Sequence, residues 1–146
     1  MILRMLGTGL GLIGMMTPTH GGERTETFRQ AIDGADRIEV DLDFWAPASS
    51  PKPHFVLEDA KKIAELAQAL DFDDAQSGFH CMCLGDSLIK FYRGEKKLAT
   101  LSHHHGRSLR WDGGQWEGDS LFTDATAASW RSWFKANGEP LFEEMH

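Results

Sequence analysis

Residues 79–111 read FHCMCLGDSLIKFYRGEKKLATLSHHHGRSLRW, and this stretch decides the fold. Its apolar, aromatic and β-branched residues recur with the two-residue period of strands. Four strands are predicted, at 79–84, 87–93, 98–103 and 107–111. The breaks between them are Gly85-Asp86, Gly94-Glu95-Lys96-Lys97 and Gly106, all compatible with turns. Connections this short join antiparallel neighbours, so the stretch is a three- or four-strand meander. Working outward, residues 38–44 (IEVDLDF) alternate strictly and predict one early strand with Ile38, Val40, Leu42 and Phe44 inward.

Helical spacing is predicted at 23–32, 58–70 and 124–136. The middle segment is the clearest, with Ile63, Leu66, Ala67 and Leu70 on one stripe. Gly34 and Gly138 supply stops, and Thr123 an N-cap. Loops are expected at 46–53, which holds three prolines, and at 71–78. The expected architecture is α+β: an antiparallel sheet with helices packed on one face.

The chain has 146 residues, enough for one domain with an ordinary core. Its hydrophobic share of 41% and charged share of 25% exclude disorder and a multi-span membrane protein. Fifteen Lys and Arg against 22 Asp and Glu leave a net charge of −7, which argues against phosphate-neutralising nucleic-acid binding. Residues 1–22 read as an apolar segment and linker, and 23–146 as a single α+β domain. The apolar run 5–16 is too short to span a bilayer, which takes ~20 residues, but has the length of a signal-peptide core. A signal peptide and a packed N-terminal arm both stay open, and with them export and a cytoplasmic location. Residues 1–22 are expected to be dispensable for folding. Gly9, Gly11 and Gly14 spell G-x-G-x-x-G, but Pro18 and Gly21-Gly22 leave no room for the helix that would hold a pyrophosphate.

Chemistry concentrates in the cysteines and histidines. On a strand, Cys81 and Cys83 point to one face with Cα atoms ~6.6 Å apart. That is near the upper limit of ~6.8 Å for a bridge, so reduced, unbridged thiols are expected. The same parity pairs His103 with His105 and turns His104 away. Cys81, Cys83, His103 and His105 form a Cys2His2 set suited to zinc, with His80 as a substitute ligand. The spacing matches no zinc finger or ribbon, and a simple meander sets the two pairs about 9.6 Å apart. The plainer expectation is that Phe79, Cys81 and Cys83 line the core and that the histidines form a polar turn, with no cofactor. A Cys–His nucleophilic centre, oriented by Asp86 or Asp41, is the enzymatic alternative.

Glu39, Asp41 and Asp43 make a carboxylate stripe on the outer face of the first strand. It suits a hard metal or an acid–base pair, but a solvated face balanced by Lys90 or Arg93 is the simpler account. Five tryptophans invite both core filling and surface recognition. His104, His105, Arg107, Arg110 and Trp111 are a candidate ligand-binding surface, with Arg stacking or carboxylate recognition as its chemistry.

The stretch from Cys81 to Trp111 resembles small bacterial proteins of no known activity. They share C-x-C-x-G-[DN], a hydrophobic hairpin and H-H-G-x-[SA]-L-R-W. The matching positions are Cys81, Cys83, His104, His105, Gly106, Arg110 and Trp111, and the likeness covers roughly residues 24–138. It implies a shared fold and carries no mechanism. The expected function is a non-catalytic binding module, with a protein partner engaging the open sheet face or the His/Arg/Trp turn. A zinc-type domain and a Cys–His enzyme are the alternatives.

Overall fold

The computed structural model describes residues 21–42, 44, 47 and 54–137. Expectations for residues 1–20, Asp43, Trp45 and 138–146, and for most of the loop 46–53, lie outside the described residues. The elements are α1 (Glu23–Ala31), β1 (Arg37–Leu42), β2 (His54–Leu57), α2 (Ala60–Ala69), β3 (Ser87–Arg93), β4 (Lys96–His104), β5 (Ser108–Arg110), β6 (Asp119–Leu121) and α3 (Asp124–Asn137). The strands form one six-stranded sheet in the order β2-β1-β3-β4-β5-β6, with every pairing antiparallel. The fold is α+β.

Register turns the alternation into rows. Val40, Ile89 and Leu101 stand side by side across β1, β3 and β4, as do Ile38, Phe91 and Ala99. These rows share one buried cluster with Phe28 of α1, Ile63 and Leu66 of α2, and Trp130 and Phe134 of α3. At its centre Phe28 meets Phe72, Phe91 and Trp111 edge to face, with centroids 5.5–6.1 Å apart. Such contacts add to the burial of large apolar area. Asp59 caps α2 by accepting from the Lys62 amide, so the helix starts at Ala60 and not at Glu58.

Three features depart from the sequence reading. Residues 54–57 and 119–121 are strands, each too short to show a period. Residues 79–84 are not a strand: only Phe79 pairs, across an isolated bridge to Asp119. Its expected neighbour β3 is already flanked by β1 and β4, so the segment has no ladder to join there. Its bend is set at both ends by Gly78 and Gly85, each with φ of 94°. A Cβ at Gly85 would also sit 3.2 Å from the His103 carbonyl oxygen, so only glycine lets the chain return so close to β4.

Candidate functional site

The face of the sheet turned away from the aromatic core carries polar rows. At its β4–β6 end Ser102, Arg110 and Asp119 are direct neighbours across three strands. The bent segment 79–86 folds over them. Arg110 donates to both carboxylate oxygens of Asp119, from Nε at 2.6 Å and from Nη2 at 3.0 Å. The same pair grips the loop: the Cys81 amide donates to Asp119 Oδ2 at 2.8 Å, and Arg110 Nη2 donates to the Cys81 carbonyl at 2.7 Å. The Asp119 side chain is wholly buried. Burial alone would raise its carboxyl, but the Arg110 and Cys81 hydrogen bonds outweigh it and hold the group below its ordinary value.

Gripped in this way, the loop brings both cysteines to the sheet. Cys81 and Cys83 form a disulfide, with Cα atoms 5.4 Å apart. The expectation of unbridged thiols is thereby corrected: it assumed the reach of an extended strand, and the bend shortens it. The expectation that Phe79, Cys81 and Cys83 line the core fails for the same reason. Phe79 is 42% exposed and the two cysteines are half-buried on the outer face.

The histidines separate by parity. His103 faces inward, fully buried, stacked on Trp130 at 6.0 Å and beside Phe122. Burial, with smaller contributions from His104 and His105, lowers its pKa to about 3, so it is neutral at ordinary pH. His104 faces outward under the loop. Its Nδ1 lies 2.9 Å from Cys83 Sγ and its Nε2 2.8 Å from Ser102 Oγ. Burial, then the Arg110 charge, lowers its pKa. His105 follows the end of β4 in a left-handed turn, with φ of 52°, held by its amide donating to the Asp86 carboxylate. That turn breaks the alternation and puts His105 Nε2 3.4 Å from Cys81 Sγ.

Of the sequence-derived metal set, Cys81 and Cys83 come together and His105 lies beside Cys81, while His103 lies in the core on the opposite face. His104, which parity seemed to turn away, takes its place. The two sulfurs and a ring nitrogen of His104 lie within 4.8 Å of one another, and no other such group occurs among the described residues. His80 is exposed and outside this group of three.

The candidate surface of His104, His105, Arg107, Arg110 and Trp111 is divided. Trp111 is buried in the core against Trp116 and Phe28, Arg107 pairs with Asp124 at 3.0 Å, and Arg110 is engaged by Asp119. On β1, Glu39 pairs with Arg37 and Asp41 with Lys90, as on a solvated strand face. Arg93 instead donates to the Asp33 carbonyl. Asp86 holds the His105 backbone and not an imidazole, and Asp41 stands on β1, two strands away from β4. Sequence reasoning missed Ser102 and Asp119. Ser102 stood in the same parity class as His104, but Asp119 lay in a segment with no readable period.

Among the described residues no helix is long and apolar enough to cross a membrane. No family model matches the chain, and neither curated proteins nor solved structures offer a significant match.

Proposed function

We propose that this domain is a non-catalytic binding module whose ligand is a thiophilic divalent metal ion, with zinc the best fit to the donors. The observation that carries the reading is the convergence of Cys81 Sγ, Cys83 Sγ and His104 Nδ1 within 4.8 Å. Two thiolates and an imidazole are zinc donors, and His105 stands beside Cys81, outside that group of three. The surroundings suit a ligand. Ligating imidazoles hold their other nitrogen on a hydrogen-bond partner, and Ser102 fills that role for His104. A lowered pKa keeps His104 neutral, the form that donates a lone pair. A bridged pair cannot supply two thiolates, so binding requires the reduced chain.

The test is titration of the reduced protein with cobalt(II) as a spectroscopic stand-in, followed by competition with zinc. One equivalent should bind and give a thiolate-to-metal absorption band. Ser102→Ala should weaken affinity about tenfold, and His104→Ala should weaken it further. Reduced protein that takes up neither ion sinks the reading.

Met82, 98% exposed, and Leu84, 70% exposed, favour a second reading in which a protein partner docks on the same loop. Capture from host extract should then fall for a Met82→Ser/Leu84→Ser variant. Equal capture by that variant and the wild type would count against the partner.

A further inference from the structure

The two sulfurs that would hold a metal are the two that form the bridge, and these states exclude each other. We propose that the Cys81–Cys83 bridge is a redox gate on the metal site: a low-molecular-weight disulfide closes it and expels the ion, and a thiol attacking Cys81 Sγ reopens it. The gate rests on the metal reading and adds its regulation.

Three observations support it. First, the loop holds both sulfurs together without help from a metal. Asp119 and Arg110 fix the Cys81 backbone from two sides, and the Cys83 amide lies 3.4 Å from Cys81 Sγ. The backbone that positions the thiols is thus the backbone that positions the bridge. Second, the sulfurs differ in access. Both cysteines are half-buried, but Cys81 Sγ faces the exposed ring of His105, while Cys83 Sγ faces the fully buried ring of His104. An incoming thiolate meets Cys81 first. Third, His104 can serve both states. The Ser102 hydroxyl either accepts from Nε2 or donates to it, so Nδ1 presents a lone pair to a metal or an N–H to the Cys83 sulfur.

The exchange balances as follows. A thiolate RS⁻ bonds to Cys81 Sγ, the Cys81–Cys83 bond breaks, and its electron pair leaves on Cys83 beside His104. A second thiolate then attacks the sulfur of R. RSSR departs, and Cys81 is released as a thiolate. Two electrons have passed from two external thiols to the cysteine pair, and the protons those thiols lost are taken up from or returned to solvent. Closure is the reverse, with RSSR as the oxidant.

The experiment uses the full chain. Reduced protein is loaded with zinc, freed of excess ion and treated with glutathione disulfide. Zinc release is followed with a chromophoric chelator and bridging by intact mass. One zinc should leave for each bridge formed. Bridged protein that keeps its zinc overturns the gate and leaves the metal reading standing. Reduced protein that takes up no zinc overturns both. The attacked sulfur is read separately. With glutathione disulfide, Cys83→Ser should trap a mixed disulfide at Cys81 roughly tenfold faster than Cys81→Ser traps one at Cys83. Equal or reversed rates would overturn attack at Cys81. If either variant fails to fold, pulse alkylation of the wild-type protein during reduction decides the point: the first thiol labelled should be Cys83.

Discussion

Two halves of the same sheet face carry similar residues and meet different fates. On β1 and β3, Arg37, Glu39, Asp41 and Lys90 pair across the strands and keep about a fifth to a quarter of each side chain exposed. On β4, β5 and β6, Ser102, His104 and Asp119 are polar too, yet they are buried, because residues 79–86 lie over them. In the first half both members of each charge pair keep contact with water, which limits what the pair contributes. In the second half, Asp119 is cut off from water, and with Arg110 it anchors the backbone of a loop that holds the disulfide. The residue types do not separate a solvated face from a site; the covering segment does.

That contrast can be broken in several ways. The largest effect belongs to neither half but to the face behind them. Val40 is fully buried in the core, so Val40→Asp places an unpaired carboxylate among apolar side chains and should abolish the cooperative thermal transition. A melting curve like that of the wild type would mean that the alternation of β1 does not govern its burial. Next comes the covered half. Asp119→Ala leaves the Arg110 charge and the Cys81 amide without their acceptor and should cost about 3 kcal/mol in urea denaturation. A loss under ~0.5 kcal/mol would put this pair in the same class as the exposed ones.

His103 sharpens the comparison from the inner side. Its folded pKa of about 3 lies below its ordinary value of 6.5, so the unfolded chain binds the extra proton between these limits. The stability it confers is complete above pH 6.5 and is lost as pH falls towards 3. At pH 5 the loss should be about 2 kcal/mol relative to pH 7, and His103→Leu should remove that part of the pH dependence. Identical pH profiles for variant and wild type would show that the ring is not held neutral. The smallest effect is expected in the solvated half. Asp41→Ser breaks the pair with Lys90 and should cost less than about 1 kcal/mol. A cost equal to that of Asp119→Ala would erase the difference between the halves.

Much of this was legible in the chain. Alternation in 38–42 identified inward residues correctly, because a period of two assigns faces wherever a strand is regular. The same rule misled at the histidines. It grouped His105 with His103, but β4 ends at His104 and the left-handed turn at His105 swings that side chain to the outer face. It also made a strand of 79–84, since alternating apolar residues look alike whether or not a neighbour is there to pair with them.

The sequence by itself determined the α+β class, the antiparallel meander, the apolar stripes of the helices and the parity that opposes His103 to His104. These follow from local periodicity and short turns, which neighbouring residues impose on one another. Only the tertiary structure decided that β6 takes the edge beside β5, that 79–86 crosses the outer face, and that Cys81 and Cys83 meet His104 and His105. Those outcomes depend on Asp119, which is 38 residues from Cys81 in the chain yet bonded to its amide. Parity tells which side chains share a face; contacts between segments remote in sequence decide which part of that face is covered.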